Sequence, residues 1–554
     1  MNRLLLNFAA RKRNSSRAKK QSGSIPIEIC TARGDFMKLS EASLEWALTH
    51  LQRENDTDLF PEPIEIEIVN QQRAEIVKLL KDVDLGAYSW HPSRRFMVPK
   101  GELSYRMITQ LDPLDSIMLS AIIYEFGGLI EAKRVPIAEG RVFSYRFAPE
   151  VDGTLYSRAD SWKEFWLANL RKAETSGCVA CLDISDFYNQ IYHHTLENMM
   201  IAVGFPNEVN KSIMRLLEYV TQKMSRGIPI GPHASHLLAE MSLIPIDDSL
   251  TLKGIDYCRY ADDIIVFAKD ETDARAKTYS IAGILDSNQR LMLQRQKTRL
   301  YSHDAFIEYA RQMIADNPMD IQEEEMLEII RSYSSDNPYI RIPHHSLTVE
   351  EQCIFSKERV ERLIEKYIEP TYPDYPRLRW LFRRFTQVGT PSAIEYCVQN
   401  MDKLIPAISD VCQYLISASD MYDGAWDKLG SKALALMQTE LFKSNEFFQI
   451  TVLNLFVKNT KMDHIVPLAA MYPTASENIR RKVILCAYRN HAVPFIRELK
   501  EQYPSMSEWT KRAYLVACSI LIPEERRFFL KNAGSSLPST AILEKSIIDW
   551  ALNQ

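Results

Sequence analysis

Residues 257–268 read Tyr-Cys-Arg-Tyr-Ala-Asp-Asp-Ile-Ile-Val-Phe-Ala. Strand-forming residues lie on both sides of the turn formed by Ala261, Asp262 and Asp263, which predicts a β-hairpin with two adjacent carboxylates at its tip. Adjacent carboxylates repel each other, so a turn that keeps them together favours a bound cation. Mg²⁺ prefers oxygen ligands and commonly binds one or two carboxylates together with substrate phosphates. An isolated Asp-Asp turn is more often only a hydrophilic hairpin, so the neighbouring segments must decide between these two interpretations.

Two segments upstream of the hairpin bear on that decision. The first is an apolar run at residues 179–182 that leads into Asp183 and continues as Ile-Ser-Asp-Phe-Tyr. The second is a Gly- and Pro-rich loop at residues 227–232 that opens a helix of small residues. If Asp183 ends a strand beside the hairpin, the three aspartates form a site for two Mg²⁺ ions, with Mn²⁺ as a substitute. Two ions about 3.5–4 Å apart can activate a 3′-hydroxyl and stabilise a leaving pyrophosphate.

The order of these segments resembles the palm of reverse transcriptases. The three matching motifs are Asp-x-x-Asp-Phe-Tyr, Gly-x-Pro-x-Gly and Tyr-Ala-Asp-Asp. Residues 291–298 resemble the next palm motif, whose lysine lies near the triphosphate, and residues 96–115 and 141–146 resemble the fingers. The resemblance implies an α/β fingers and palm polymerase domain at residues 36–331, with deoxynucleoside triphosphates and DNA or RNA as its partners.

The same resemblance implies roles for individual residues. It assigns metal binding and catalysis to Asp183, Asp262 and Asp263, and it assigns Lys297 to the departure of pyrophosphate. The residues expected to bind substrate are Lys100, Arg106, Asp186, Tyr188 and Gly231. Tyr188 lies at the place of the steric gate that excludes a ribose 2′-hydroxyl, and the alternative is a core aromatic residue. Asp186 either lies beside the path of the triphosphate or caps the following helix.

Within that superfamily, the chain is most similar to prokaryotic defence reverse transcriptases of the abortive-infection (AbiK-like) and "unknown group" classes. The similarity lies in the form Gly-Ile-Pro-x-Gly-Pro…Ser…Leu-Ala-Glu at residues 227–240 and in a helical region in place of a thumb. Ile230 stands where most retroviral, retron and intron enzymes have Gln. The resemblance implies a homo-oligomeric DNA polymerase of antiphage defence, with template-independent, protein-primed synthesis among its modes. The alternatives are a templated retron- or intron-type enzyme and a helical scaffold with a vestigial polymerase domain.

The region after the polymerase-like segment has a different pattern. Over residues 347–554 apolar residues recur at helical spacing, and similar helix starts fall at Glu446, Glu477 and Glu508. A period of 31 residues with paired helices predicts an all-α, HEAT-like solenoid, and a non-repetitive helical bundle is the alternative. Its candidate phosphate contacts are Arg480, Arg481, Lys482, Lys511 and Arg512. The alternative for these cations is a solvated helix face.

Composition limits the remaining possibilities. The chain has 554 residues, 67 Lys and Arg against 72 Asp and Glu, and nine Cys. The net charge of −5 argues against a uniformly basic surface, but residues 1–35 form a basic arm that contacts nucleic-acid phosphates or is merely solvated. We expect a cytoplasmic protein with reduced thiols and no membrane contact, because the sequence shows no secretory signal and no apolar stretch of membrane-spanning length.

Overall fold

The computed structural model describes residues 37–55, 60–157, 160–315, 320–334 and 340–554, and residues 37–554 form one compact unit. The basic arm predicted at residues 1–35 lies outside the described residues. The structure does not divide these residues at the predicted boundary between 36–331 and 347–554, so that separation into domains stays a prediction. Helices of the second region pack directly on the first. The helix Ile542–Leu552 lies against the helices Ile64–Gln71 and Arg73–Leu80, and the helix Glu446–Lys458 lies against the strand Arg94–Pro99.

The first region mixes helices with two small sheets. Its strands are β1 (Arg94–Pro99), β2 (Tyr105–Gln110), β3 (Cys178–Asp183), β4 (Tyr257–Tyr260), β5 (Asp263–Ala268) and β6 (Arg299–Ser302). Its helices are α1 (Glu41–Glu54), α2 (Ile64–Gln71), α3 (Arg73–Leu80), α4 (Pro113–Glu131), α5 (Ser161–Ala173), α6 (Phe187–Gln190), α7 (His193–Val203), α8 (Asn207–Val220), α9 (His233–Leu252), α10 (Glu271–Gln289), α11 (His303–Ala315) and α12 (Ile321–Ser334).

The larger sheet is antiparallel and has the strand order β4-β5-β3-β6. Its central strands bury both faces because their apolar residues alternate in side-chain direction. Val179, Ile265 and Phe267 pack with α5 and α11 on one face, whereas Leu182 and Val266 join the main core on the other. Strands β4 and β5 form the hairpin that the sequence predicts.

The smaller sheet is the hairpin of β1 and β2, whose register pairs Val98 with Arg106. Helix α4 follows it and packs against α1 and α9. Among the described residues, α4 is the one helix long and apolar enough to cross a membrane, but 72% of its apolar window is buried in the fold. That burial is typical of the core helix of a globular unit.

Residues 347–554, all of which the structure describes, contain helices and no strand. The helices are α13 (Val349–Ile354), α14 (Lys357–Ile368), α15 (Tyr375–Val388), α16 (Ile394–Gln399), α17 (Ile408–Ser417), α18 (Trp426–Met437), α19 (Glu440–Lys443), α20 (Glu446–Lys458), α21 (Ile465–Met471), α22 (Glu477–Arg489), α23 (Val493–Glu498), α24 (Glu508–Ala517), α25 (Pro523–Ser535) and α26 (Ile542–Leu552). The helix starts predicted at Glu446, Glu477 and Glu508 are confirmed, and α20, α22, α24 and α26 pack each against the next. The HEAT-like classification stays a prediction.

Candidate active site

Strand register brings the three predicted aspartates to one end of the larger sheet. Asp183 is the last residue of β3, and it pairs directly with Asp263, the first residue of β5. Asp262 lies in the turn between β4 and β5, and its carbonyl accepts a hydrogen bond of 3.0 Å from the amide of Ile184. Ala261 begins this turn with a φ of +50°, a left-handed conformation that is uncommon for a residue with a side chain. The turn therefore brings Asp262 and Asp263 to the same end of the sheet as Asp183.

The electrostatics of these carboxylates follow from their burial and proximity. Burial, followed by repulsion from Asp262 and Asp183, raises the pKa of Asp263 to about 7. Burial and the charge of Asp183 also raise the pKa of Asp262. A buried carboxylate cluster whose pKa values rise in this way is relieved by a cation, and three carboxylates match the oxygen ligands that Mg²⁺ prefers. The chemistry of the donor set thus fits a divalent metal site.

Lys297 contacts the cluster directly. The amide of Gln294 donates to the carbonyl of Asp183 at 2.7 Å, which holds the loop that carries Lys297 against the end of β3. The ammonium of Lys297 then donates to Oδ2 of Asp183 at 2.7 Å, although half of the lysine side chain stays exposed. Burial opposes the charge of Lys297, but this hydrogen bond and the nearby carboxylates raise its pKa. Lys297 is therefore held as a cation at the edge of the site.

The fingers hairpin supplies two further cations on the same side. Lys100 follows β1 and Arg106 lies in β2, so the tip of the hairpin separates them. Burial and repulsion from Lys297 and Arg106 lower the pKa of Lys100, and attraction to Asp262 and Asp183 acts in the opposite direction. These interactions mean that the lysines and the aspartates lie close enough to influence each other. Cations gathered next to one another in this way favour a polyanion such as a triphosphate.

The three other predicted substrate residues are Asp186, Tyr188 and Gly231. Asp186 adopts a left-handed φ of +49° before α6 and makes no capping hydrogen bond to that helix, so the capping alternative is wrong. Its carboxylate instead accepts hydrogen bonds from the side chains of Asn189 and Gln190 at 2.7 and 3.3 Å. Gly231 has a φ of +133°, which few residues other than glycine adopt. The carbonyl of the preceding residue, Ile230, accepts a hydrogen bond of 2.8 Å from the amide of Thr109 in β2 of the fingers hairpin.

Tyr188 is half-buried, and its ring packs against the main core. Its hydroxyl shares a hydrogen bond of 2.5 Å with Nδ1 of His236. Burial, followed by several neighbouring groups that include Asp262, raises the pKa of Tyr188 well above its ordinary value. Tyr188 therefore packs against the core near the catalytic turn, and its role as a steric gate stays a prediction.

A buried charge network supports the catalytic turn, and sequence reasoning missed it. Oγ of Ser144 accepts a hydrogen bond of 2.8 Å from the amide of Ala261 and donates one of 2.6 Å to Glu240. Arg259 donates to the carbonyl of Ala261 at 3.1 Å and pairs with both Glu240 and Asp247. The signal available in the sequence was the presence of charged residues inside otherwise apolar segments, at Arg259 in a strand and at Glu240 in a helix.

A second cluster of possible metal ligands lies away from the palm. His91, Asp112 and Asp115 are the one group of three in the described residues whose ligand atoms all lie within 4.8 Å of one another. Asp115 accepts hydrogen bonds from the hydroxyl of Tyr88 and from Nδ1 of His91, and Asp112 pairs with Arg512. Burial opposes a charge on His91, yet its hydrogen bond to Asp115 and the charge of Asp112 raise its pKa to about 9. Each member of this cluster has a partner within the fold, which makes the cluster a buried ion network.

The cations predicted to contact phosphates in the helical region have structural roles instead. Arg481 is 2% exposed and pairs with Glu65 at 2.7 Å, while Arg512 is 1% exposed and pairs with Asp112 and Glu544. Lys482 is also buried and donates to Asn454 at 2.8 Å. For these three residues both expectations, a phosphate contact and a solvated face, are wrong, because helix–helix and helix–fingers packing covers them.

The two remaining predicted phosphate contacts are only partly covered. Arg480 donates to the carbonyls of Tyr472 and Pro473 and pairs with Glu477. Lys511 is half-buried, and its ammonium lies 5.8 Å from the ring centroid of Tyr503. Both side chains are thus engaged within the helical region.

The helical region also contacts the backbone of the fingers hairpin. The side-chain amide of Asn445 donates to the carbonyl of Met97 at 2.8 Å, and Arg379 donates to the carbonyl of Lys100 at 2.6 Å. The indole of Trp509 donates to the carbonyl of Pro92 at 2.7 Å. The hairpin that carries Lys100 is therefore held by the helical region as well as by its own sheet.

An antiparallel sheet with carboxylates at the ends of its central strands, a lysine on one carboxylate and a basic hairpin opposite is the palm of a nucleotidyltransferase-type polymerase. Residues 98–327 match the model of the reverse transcriptase (RNA-dependent DNA polymerase) family. The chain therefore carries a reverse transcriptase domain, and the matched range includes the palm strands and the hairpin residues Lys100 and Arg106. A search of curated proteins found no match.

Proposed function

We propose that this protein is a metal-dependent DNA polymerase of the reverse transcriptase type. The observation that carries the proposal is the register that sets Asp183 opposite Asp263, with Lys297 bound to Asp183. The raised pKa values of Asp262 and Asp263 add support, since carboxylates in this state gain from a bound cation. Nucleotide substrates and nucleic acid are the partners that this domain implies.

In this proposal, Asp183, Asp262 and Asp263 hold two Mg²⁺ ions, for which Mn²⁺ can substitute. When bound, such ions supply Lewis-acid stabilisation of charge on the attacking and leaving oxygens. The protein itself orients the triphosphate, because Lys100 and Arg106 provide charge-assisted hydrogen bonds from the fingers.

The other site residues have complementary roles in the same proposal. Lys297 is held as a cation next to Asp183 and can give a proton to the departing pyrophosphate. Tyr188 occupies the space that a ribose 2′-hydroxyl would need. Asp186 borders the path of the triphosphate, and Gly231 lets the loop backbone approach the substrate closely because it has no Cβ.

We further propose that the protein belongs to the abortive-infection (AbiK-like) or "unknown group" class and acts in antiphage defence as a cytoplasmic homo-oligomer. In this proposal, synthesis does not need a supplied template and starts from a protein hydroxyl. Support comes from the motif form at residues 227–240, from the helical region and from Ile230. The apolar side chain of Ile230 cannot hydrogen-bond to a base, and its carbonyl already accepts from Thr109.

Incorporation of labelled deoxynucleotides by the purified protein tests the proposal. We expect products with Mg²⁺ or Mn²⁺ in the absence of an added template, and we expect a fraction of the label to stay with the protein until protease treatment. The variant Asp262→Ala/Asp263→Ala should make none, whereas Asp304→Ala is the matched control because its side chain is fully exposed on α11. Product only with an added template would favour the retron- or intron-type alternative, and no product under any condition would favour the scaffold.

A further inference from the structure

His236 contacts the ring that the proposed function assigns to sugar selection. The hydroxyl of Tyr188 and Nδ1 of His236 lie 2.5 Å apart, and their rings meet edge to face at a centroid distance of 5.8 Å. Tyr188 belongs to α6, which spans only Phe187–Gln190. A helix of one turn fixes its side chains weakly, so the direction of the Tyr188 ring depends on contacts with the rest of the fold.

His236 is itself held in place from a second side. Its ring stacks on that of Tyr145, with 4.2 Å between centroids and 6° between planes. Tyr145 has a left-handed φ of +46°, and it follows Ser144, whose hydroxyl bonds the amide of Ala261 in the catalytic turn. The support of Tyr188 is thus continuous with the support of the turn that carries Asp262.

The hydrogen bond between the two side chains does not depend on pH near neutrality. Burial and the neighbouring His233 lower the pKa of His236 to about 3, with Glu240 as the opposing carboxylate. Burial raises the pKa of Tyr188 well above its ordinary value. A neutral imidazole and a protonated phenol each keep both a donor and an acceptor, so the pair stays matched throughout the range in which polymerases work.

We propose that His236 is a positioning residue that fixes the ring of Tyr188 against the sugar and so determines the preference for deoxynucleotides. This inference rests on the proposed function. A steric gate discriminates through a clash with the ring, and a ring free to rotate about its side-chain torsions would give way to a 2′-hydroxyl. The hydrogen bond to His236 restricts that rotation, and the stacking on Tyr145 keeps His236 from following the ring.

Three variants test the role of the hydrogen bond. His236→Phe keeps a ring on Tyr145 but removes the polar atom, His236→Asn keeps a polar atom near the position of Nδ1, and Tyr188→Phe removes only the hydroxyl. The measurement is the ratio of kcat/KM for dGTP to that for GTP. We expect His236→Phe and Tyr188→Phe each to lower this ratio about five- to tenfold, the effect of one hydrogen bond. The double variant His236→Phe/Tyr188→Phe should lower the ratio no further than either single variant, and His236→Asn should keep a ratio close to that of the wild type.

The outcomes separate this inference from the function on which it rests. If wild-type protein incorporates dGTP but the ratio is unchanged in His236→Phe, the inference is wrong and the polymerase assignment stands. Additive losses in the double variant would also overturn it, because they would show that the two side chains act separately. A loss of dGTP use in His236→Phe with no change in the ratio would indicate a general packing role. If wild-type protein incorporates no nucleotide, the proposed function fails and the inference fails with it.

Discussion

The buried pair of Arg481 and Glu65 is the most direct test of how the helical region joins the fingers. Arg481 lies on α22 and Glu65 on α2, and 416 residues separate them in the sequence. Both side chains are almost fully buried, and Arg481 also donates to the carbonyl of Trp509 at 2.6 Å. Replacing Arg481 by Met leaves the carboxylate of Glu65 buried without its cation. Removing one member of such a pair costs about 3–5 kcal/mol of unfolding free energy.

The same pair predicts how that cost depends on pH. Burial raises the pKa of Glu65, but Arg481, together with Arg512 and a backbone hydrogen bond, holds it below the ordinary value of 4.5. In the wild type the stability from this pair is therefore present above that value and is lost as the pH falls. In Arg481→Met the pKa of Glu65 should rise, because only the charge of Arg512 and a backbone hydrogen bond then oppose burial. The variant should lose stability relative to wild type as the pH rises and Glu65 must ionise.

Unfolding midpoints in urea and on heating, taken from pH 4 to 8, measure both effects. Glu65→Gln/Arg481→Met should recover much of the loss, because neither member of the pair then carries a charge. Arg497→Met is the matched control, since Arg497 pairs with Glu525 at the surface of the same region and its loss should have no measurable effect. An Arg481→Met midpoint equal to that of this control would show that the two regions do not pack through Glu65 in solution.

Three further predictions follow from the same contacts. Tyr188→Ala should allow incorporation of ribonucleotides while changing the incorporation of deoxynucleotides less. If steady-state kinetics show equal losses of kcat/KM for both kinds of nucleotide, Tyr188 has only a packing role. Asn445→Ala should raise the KM for deoxynucleotides about fivefold with little change in kcat, because it removes one hydrogen bond to the backbone of the fingers hairpin. A chain that ends at Ser334 should melt well below the intact protein in a thermal scan, since it uncovers Glu65 and Asp112 without their arginines; an unchanged midpoint would contradict this.

Much of the palm was predictable because its signals are local. Strand-forming residues on both sides of the turn at Ala261 indicate a hairpin, and strand-forming residues before Asp183 indicate a strand that ends in a carboxylate. The helix starts at Glu446, Glu477 and Glu508 were predictable for the same reason, since each repeats a short pattern. The left-handed φ of Ala261 and the hydrogen bond of Ser144 to its amide were not predictable, because they depend on residues more than a hundred positions apart.

The cations of the helical region show where local reasoning fails. A charged residue on an amphipathic helix is normally solvated, so Arg481, Lys482 and Arg512 suggested either a phosphate contact or an exposed face. Whether such a residue is buried depends on a partner elsewhere in the chain. Glu65 and Asp112 are those partners for the two arginines, and nothing in the spacing of the sequence links them. Long-range ion pairs of this kind become visible only when the fold is known.

These contacts change what the helical region is expected to do for synthesis. The sequence suggested that cations of this region contact nucleic-acid phosphates, which would make product length the quantity that falls when those cations are lost. In the structure, Asn445 and Arg379 instead hold the backbone at Met97 and Lys100, next to the expected triphosphate site. A region that positions the fingers should affect the apparent affinity for nucleotide before it affects product length. If Asn445→Ala raises the KM for deoxynucleotides at unchanged product length, the helical region positions the fingers. If it shortens the products at unchanged KM, the helical region instead holds the nascent strand.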